Sequence, residues 1–427
     1  MSTVEPSTLP SAPVPPVREV PLWRNRDYLL LWGGAGISFF GSRVSAIAYS
    51  LLVLWATGSA TAAGLVGFAA LLPNLVVQLP AGALVDRWDR RTTMIVCDLV
   101  RVLLISSVTV TVLLGHVWIP LLMVVAFSEA SLTVVYRLAE RAAVRNVVPR
   151  SQLSSAMARN EARGQAAGLL GQPAGTLLFS VTRAAPFVGT AIAHLVSLLT
   201  LLLIRKDLQG ERPDRRQPAR IVARVAEGFH FVWGQLYLRR ALALIAASNI
   251  LFQIIGLGLI VIVKHDGGSP AIVGFIIMVN GLAGMLGALT AGFAMRWLGV
   301  RRIIMVVNVV WAALMPLIAF VHHPVALAAI YSSIIFAASV GNVAGLVYQV
   351  KTTPDNMQGR VGSISTLLAS GTNSIGALIA GVALDKLGSR GTMLVVAVVM
   401  AVLAVLAILA FSGRKAAAAE RALDLTT

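Results

Sequence analysis

The chain has little charge and almost no cysteine, and each shortage excludes a class of protein. Only 12% of its 427 residues are charged, about half of the roughly 25% found in soluble domains. The single cysteine, Cys97, cannot form an intrachain disulfide or a paired-thiol metal site. Hydrophobic residues make up 57% of the chain, and the mean hydropathy is +0.82. This composition indicates a protein built for lipid rather than a soluble domain.

Several motifs that carry chemistry are also missing. The sequence contains no Gly-x-x-x-x-Gly-Lys-Ser/Thr phosphate loop, so ATP does not drive the protein directly. The histidines, among them His116, His322 and His323, show no metal-ligand spacing. No nucleophile, base and orienting acid can be assembled. We therefore expect no enzyme, no cofactor and no metal.

The net charge of +17 does not indicate a nucleic-acid-binding protein, because the basic residues occur in short segments between apolar runs rather than on one face with aromatic partners. Short loops rich in lysine and arginine stay on the cytoplasmic side of a membrane. The alternate set of loops contains only four basic residues, Arg183, Lys264, Lys386 and Arg390. The charge distribution predicts that both termini are cytoplasmic.

Apolar runs of roughly 20 residues are long enough to cross the hydrocarbon of a bilayer. The sequence predicts twelve such spans, near residues 28–56, 62–85, 92–115, 118–138, 153–181, 185–204, 240–263, 271–295, 302–321, 324–348, 360–384 and 391–412. Six spans lie on each side of a polar middle segment. We therefore expect an all-α membrane protein.

The predicted spans divide the chain into five parts. These are a proline-rich disordered cytoplasmic tail (1–22), an N-terminal six-helix bundle (23–204), a cytoplasmic linker (205–239), a C-terminal six-helix bundle (240–412) and a cytoplasmic tail (413–427). Within the linker, residues 221–233 have the pattern of an amphipathic helix lying on the membrane surface.

The segment GALVDRWDRR begins at Gly82, and a degenerate copy, GFAMRWLGVRR, begins at Gly292, nearly half a chain length later. Duplicated helical halves are typical of secondary transporters. The first copy resembles the loop between spans 2 and 3 of the major facilitator superfamily. The matching residues are Gly82, Asp86, Arg87, Arg90 and Arg91. Asp89 stands where the superfamily usually has glycine, although the run DRWDRR is similar to the branch that contains macrolide and siderophore exporters.

The resemblance implies the superfamily fold of twelve transmembrane helices in two six-helix bundles that move alternately. We expect the loop to act as a conformational latch, with Asp86 accepting backbone N–H groups and the arginines pairing with carboxylates or lipid phosphates. The alternative is a merely solvated basic turn.

Span 5 contains a second element that resembles a superfamily motif, the antiporter motif Gly-Pro-x-x-Gly-Gly. The matching residues are Gly168, Gly171, Pro173 and Gly175, while Gln172 and Thr176 replace two of its glycines. Glycine spacing allows close helix packing, and proline removes a backbone donor and permits a bend. The alternative is a packing seam with no role in coupling.

Ionisable side chains within the spans are costly and need a partner, water or a purpose. Glu129 and Arg43 have similar predicted depths and are expected to pair, and Asp98 and Arg101 lie one helical turn apart. These four are candidates for proton coupling, with Glu129 as the group that binds and releases a proton. The alternative is a fixed set of ion pairs, which we prefer for Asp98. Arg159, Glu161 and Arg163 in span 5 are expected to anchor or gate at the cytoplasmic interface.

The resemblance implies that spans 1, 4, 7 and 10 line a central cavity. Candidates for contact with a transported compound are the polar residues of these spans: Ser38, Tyr49, Tyr136, Asn249, Gln253, Tyr331 and Asn342. The sequence thus predicts a monomeric transporter in the bacterial cytoplasmic membrane that exports a small organic compound in exchange for protons. Alternatives are a proton-coupled importer or lysolipid flippase of the same fold, or a receptor or scaffold that no longer transports. Membrane lipids are expected partners, and nucleic acid is not.

Overall fold

The computed structural model describes residues 20–209 and 219–412, apart from the side chains of Leu79, Ala83, residues 219–226 and Tyr237. Most of the predicted N-terminal tail, the middle of the linker and the C-terminal tail lie outside these ranges. The described residues form helices and connecting turns, with no β-strand among them.

The N-terminal helices are α1 (Arg26–Thr57), α2 (Ala60–Leu71), α3 (Pro73–Val76), α4 (Gln78–Val85), α5 (Arg90–Leu113), α6 (Ile119–Val147), α7 (Leu153–Val181) and α8 (Ala185–Leu203). Polar side chains cap several of their N-terminal ends, where backbone N–H groups lack helical partners. Asn25 caps α1 by accepting from the Tyr28 N–H, at 3.1 Å. Asp89, the departure from the superfamily pattern, caps α5 by accepting from the Thr92 N–H at 2.7 Å.

The C-terminal helices are α9 (Ala219–Gly234), α10 (Leu236–His265), α11 (Pro270–Leu314), α12 (Pro324–Thr352) and α13 (Gln358–Phe411). Two of them are interrupted by a glycine in the left-handed region, Gly299 in α11 with φ 72° and Gly388 in α13 with φ 69°. Glycine adopts this conformation without the steric cost of a Cβ. Each interruption coincides with a predicted boundary between two spans.

Eight helices in the described ranges are long and apolar enough to cross a membrane. The prediction of twelve spans differs for identifiable reasons. Helices α11 and α13 each contain two predicted spans, and span 2 is broken into α2, α3 and α4 where Pro73 begins a new turn. Helix α7, with its many glycine and polar residues, is not apolar enough to qualify. The predicted amphipathic segment is covered by α9, which packs against the start of α13 through an ion pair of 3.0 Å between Glu227 and Arg360.

The N-terminal helices pack mainly on one another, with α1 contacting α6, α7 and α8, and the C-terminal helices do the same through α10 with α13 and α11 with α12. The most extensive contacts between these groups are α2 with α13 and α7 with α11. At the first, a Cβ on Gly64 would lie 2.6 Å from the Ala377 carbonyl oxygen, so only glycine permits this backbone approach. Such small-residue seams are typical of helix pairs within membranes.

The antiporter-like residues of α7 form a similar seam with α1. A Cβ on Gly171 would lie 2.5 Å from the Arg43 Cβ, and one on Gly175 would lie 2.7 Å from the Val44 carbonyl oxygen. Gly168, in contrast, has no neighbour within 4 Å of an added Cβ. Two of the three glycines are therefore required for close packing of α7 on α1.

This difference gives a stability prediction. We expect Gly175→Ala to lower the free energy of unfolding by about 1–3 kcal/mol, because the rigid Val44 backbone would have to move. Gly168→Ala is the matched control and should be neutral or slightly stabilising, since alanine favours a helix by about 0.5–1 kcal/mol. Thermal unfolding in detergent can be followed with a thiol-reactive dye at buried Cys97, the only cysteine in the sequence. Equal effects of the two substitutions would contradict the assigned seam.

Candidate functional site

A group of polar side chains is buried between four of the N-terminal helices. We call it the buried polar cluster, and its members are Ser38, Ser45 and Tyr49 of α1, Asp98 and Arg101 of α5, Glu129 and Tyr136 of α6, and His194 of α8. Each is at most 5% exposed. The three α1 residues are spaced by seven and four positions, which places them on one face of the helix. The cluster brings predicted residues from three separate spans into one site and adds His194 from a fourth.

Asp98 and Arg101 form the ion pair that the sequence predicts. Arg101 Nη1 lies 3.2 Å from Asp98 Oδ1, and both side chains are at most 1% exposed. The Ser38 hydroxyl joins the pair by donating to Asp98 Oδ1 at 3.0 Å and accepting from Arg101 Nη1 at 2.9 Å. The Arg101 guanidinium also lies 4.9 Å from the centre of the Tyr136 ring, a cation–π distance. The positive charge is thus compensated on two sides.

Glu129 is held by hydroxyl groups rather than by an arginine. Its Oε1 accepts a hydrogen bond of 2.7 Å from Ser45, and its Oε2 accepts one of 2.7 Å from Tyr49. The predicted pair with Arg43 is wrong. Arg43 precedes Ser45 by two residues, about 200° around the helix, and therefore faces α7, with its guanidinium 4.9 Å from the Phe39 ring. Glu129 is left as a buried carboxylate that has no arginine partner within the described ranges.

Two charged or titratable residues were missed by the sequence reasoning. His194 Nδ1 lies 3.0 Å from the Ser38 hydroxyl oxygen, and Nε2 lies 3.7 Å from Glu129 Oε1. Glu140 of α6 pairs with Arg163 of α7 at 3.0 Å and accepts from Asn160 at 2.9 Å. The signal for both was present, since each is an ionisable side chain within a predicted span or at its end. The Arg163–Glu140 pair supports the expected anchoring role of Arg163.

The Gly82–Arg91 loop contacts the N-terminal helices through its arginines. Arg90 Nη1 donates to the Ala142 carbonyl oxygen at 3.1 Å, and Arg91 Nη2 donates to the Leu202 carbonyl oxygen at 3.1 Å. These partners are helix carbonyls, whereas carboxylates or lipid phosphates were expected. The side chains of Asp86 and Arg87 are exposed, and neither has a hydrogen bond or ion pair with a described residue. Of the expected latch residues, Arg90 and Arg91 are thus bound to neighbouring helices in this conformation, whereas the side chains of Asp86 and Arg87 are not engaged by a described residue.

A cavity of about 230 Å³ lies between α10, the second half of α11 and α12. Two predicted candidates, Asn249 and Asn342, line this α10–α12 cavity together with Phe252, Asn308 and Trp311. None of the described residues around it is charged. Asn308 is 5% exposed, and its side-chain oxygen has no hydrogen-bond partner in the described part of the chain. The cavity therefore offers aromatic surfaces and amides to a ligand.

The other cavity candidates lie elsewhere. Ser38 and Tyr49 bind the carboxylates of the buried polar cluster, and the Tyr136 hydroxyl lies 3.1 Å from the Ser197 hydroxyl. Gln253 and Tyr331 are half-buried and do not line the α10–α12 cavity. The hydroxyl groups of the three N-terminal candidates are bound by other buried side chains rather than directed to an open space.

The two groups of helices are joined at one end by polar contacts. Asp385, at the turn in α13, accepts from the Ser59 hydroxyl at 2.9 Å and from the Ala60 and Thr61 N–H groups at 2.8 Å each, and thereby caps α2. Partial burial raises the pKa of this carboxyl, but the hydrogen bonds from residues 59–61 outweigh it and leave the pKa below its usual value. Lys264 of α10 donates to the Leu54 carbonyl oxygen of α1. Both contacts are at the end of the molecule opposite the Gly82–Arg91 loop.

Long apolar helices, the buried polar cluster and a separate uncharged cavity are features of a multi-pass membrane transporter. Residues 20–424 match the family model described as transmembrane secretion effector, MFS_3. The chain belongs to this family of the major facilitator superfamily.

Individual relatives agree with this assignment. The multidrug efflux pump Tap of Mycolicibacterium fortuitum is 28% identical over 372 residues, 83% of this chain and 88% of that protein. Macrolide efflux protein A of Streptococcus pyogenes is 23% identical over 383 residues, 86% of this chain and 91% of that protein. The crystal structure of nucleoside transporter NupG has the same fold, with a TM-score of 0.72 at 14% identity over 92% of this chain and 100% of that one. The protein is thus a bacterial membrane exporter.

The buried ion pair gives a second stability prediction. We expect Asp98→Asn to lower the free energy of unfolding by about 3–5 kcal/mol, because it leaves the Arg101 charge buried without its counter-ion. Glu161→Gln is the control, since the Arg141–Glu161 pair is 3.8 Å long and more than half exposed, and its loss should cost at most about 1 kcal/mol. Size-exclusion chromatography after graded heating in detergent measures both. A loss for Asp98→Asn no larger than for Glu161→Gln would contradict the assignment.

Proposed function

We propose that the protein exports amphipathic organic compounds in exchange for protons, and that Glu129 binds the proton. The observation that carries the proposal is the environment of this carboxylate. Glu129 is 4% exposed, lies within apolar helices and is held by two hydroxyl groups. A fixed negative charge in such a place costs at least about 2.5–3.5 kcal/mol on insertion scales. A carboxyl group that gains and loses a proton escapes this cost for part of the cycle.

The class of compound is supported by the relatives and by the α10–α12 cavity. The two named relatives are efflux proteins for multiple drugs and for macrolides. The cavity is lined by aromatic rings and amides and holds about 230 Å³, less than the roughly 300–1,000 Å³ of a whole-ligand pocket. It therefore fits one uncharged part of an amphipathic, drug-sized compound rather than an entire macrolide.

Alternating access requires two groups of helices that rock about a shared site, and several features support this arrangement. Helices α11 and α13 have 45 and 54 residues, about 70–80 Å at 1.5 Å per residue, which is more than twice the hydrocarbon thickness. Each would therefore cross the membrane twice, turning at its left-handed glycine. With α2–α4 and α7 as further crossings, the chain forms twelve transmembrane segments in two six-helix bundles.

The described conformation corresponds to one state of the cycle. The contacts of Asp385 with α2 and of Lys264 with Leu54 close one face, whereas the exposed Asp86 and Arg87 leave the other face unlatched. The positive-inside rule places the unlatched face in the cytoplasm. One chain supplies both bundles, so a monomer is sufficient for transport, and lipid covers the exposed apolar side chains.

The proton-exchange proposal predicts that Glu129→Gln loses proton-driven transport. In inverted vesicles with an acidic interior, uptake of radiolabelled erythromycin above that of vesicles without the protein should fall at least about tenfold, because glutamine cannot release a proton. Exchange of labelled for unlabelled erythromycin at equal pH should persist, since it needs no net proton movement. Asp355→Asn, which removes an exposed carboxylate in the turn between α12 and α13, is the control and should transport normally. Unchanged uptake by Glu129→Gln against the gradient would eliminate Glu129 as the proton carrier.

The proposed orientation makes a separate prediction. In a Cys97→Ser background, a membrane-impermeant maleimide added to intact cells should label His322→Cys but not Trp88→Cys. Both positions are exposed, so accessibility to solvent does not distinguish them. Opening the cells should allow Trp88→Cys to react. The reverse pattern would place the termini outside and invert the topology.

A further inference from the structure

We propose that His194 and Glu129 share one proton, so that His194 is the second proton-binding group of the exporter. This inference rests on the proposed function of Glu129 and adds a residue that the sequence did not single out. His194 lies near the middle of α8, is 0% exposed and bridges the two carboxylates of the buried polar cluster. Its Nδ1 faces Ser38 and Asp98, and its Nε2 faces Glu129.

The hydrogen bonds of Ser38 determine which ring nitrogen carries hydrogen. A serine hydroxyl has one donor and two acceptor sites. Ser38 uses its hydrogen to donate to Asp98 Oδ1 and one acceptor site to receive Arg101 Nη1. Toward His194 it can therefore only accept, so the contact of 3.0 Å requires hydrogen on Nδ1. In the neutral imidazole, Nε2 is then the basic nitrogen.

The gap between His194 Nε2 and Glu129 Oε1 is the place for the shared proton. Nε2 is buried and has no hydrogen-bond partner in the described part of the chain. Without a proton, a nitrogen lone pair and a carboxylate oxygen would face each other across 3.7 Å. An approach of about 0.5–1 Å gives an ordinary N–H···O distance. In the transfer, the Nε2–H bond of imidazolium breaks as an O–H bond forms on Glu129, which leaves neutral imidazole and a neutral carboxylic acid.

The charges around His194 fix how many protons the cluster needs. Helix α5 presents Asp98 and Arg101, α6 presents Glu129 and Tyr136, and α1 presents Tyr49. Helix α7 also packs on α8 but contributes no described hydrogen bond or ion pair to His194. The Asp98 and Arg101 charges cancel, so the single negative charge of Glu129 remains. One proton, on Glu129 or on His194, makes the buried polar cluster neutral.

Nitrogen-15 NMR of histidine-labelled protein in lipid tests this proposal directly. We expect one histidine to occur in the Nδ1–H tautomer when neutral, and its signal to be absent from His194→Asn. Glu129→Gln should change the pH range over which this signal shifts, because the sharing partner is gone. A neutral His194 with hydrogen on Nε2, or a titration unaffected by Glu129→Gln, would overturn the proposal. The wild-type spectrum is informative even if a variant folds poorly.

Transport by His194→Asn separates this inference from the proposed function. Asparagine can retain the donor to Ser38 but has no basic nitrogen toward Glu129. We expect proton-driven erythromycin uptake into inverted vesicles to fall at least about tenfold, with equal-pH exchange retained. His116→Asn, at the exposed end of α5, is the control and should transport normally. If Glu129→Gln abolishes proton-driven uptake while His194→Asn leaves it and its pH profile unchanged, only the sharing by His194 is wrong. If Glu129→Gln also transports normally, the proposed function fails as well.

Discussion

A charge within apolar helices needs an opposite charge or hydrogen-bond partner from the protein itself, because lipid supplies neither water nor counter-ions. This constraint organises the N-terminal helices. Hydrophobic contact alone does not fix how helices associate within lipid, since lipid chains are as apolar as leucine side chains. The Asp98–Arg101 pair, with Ser38 between its members, gives α1 and α5 a specific relative position. Glu129 extends the network to α6 through Ser45 and Tyr49, and His194 extends it to α8.

The C-terminal helices meet a different requirement. Their α10–α12 cavity has no charged residue among its described lining, and its polar groups are amides and hydroxyls next to Phe252 and Trp311. The two rings are 5.0 Å apart in an edge-to-face arrangement, and the indole N–H of Trp311 donates to the Ile334 carbonyl oxygen. A fixed aromatic pair with adaptable amides suits ligands of varied structure. The buried polar cluster and the uncharged α10–α12 cavity thus occur in different halves of the chain.

The sequence predicts the helices, and it predicts contacts between side chains only where both residues lie on the same helix. Apolar run lengths predict the helices, and the three-residue spacing of Asp98 and Arg101 predicts their pair. The prediction of an Arg43–Glu129 pair was wrong because similar depth in two spans does not show which face of each helix points toward the other. For α1, the four-residue spacing of Ser45 and Tyr49 puts both on one helix face, and that face points toward Glu129 of α6 because both hydroxyls bind it.

The partners across helices could not be predicted in the same way. His194 is separated from Ser38 by 156 residues, so no local pattern connects them, and only its position in an apolar run marked it as unusual. The Gly82–Arg91 loop could be recognised as a motif, but its arginines bind helix carbonyls whose availability depends on how α6 and α8 end. The capping role of Asp89 could have been read from the sequence, since aspartate before a helix is a common N-cap.

Helix α1 connects the buried polar cluster with the contact between the N-terminal and C-terminal helices. One of its faces carries Ser45 and Tyr49, which bind the proposed proton site, and another packs closely against Gly171 and Gly175 of α7. Helix α7 in turn meets the C-terminal helices where Gly274 of α11 packs against Thr176 and Pro173. Close-packed glycine seams transmit a displacement, because no flexible side chains lie between the backbones to absorb it. Glu129, the proposed proton-binding group, is therefore hydrogen-bonded to a helix that also positions the contact between the two groups of helices, which is the connection that the proposed proton exchange requires.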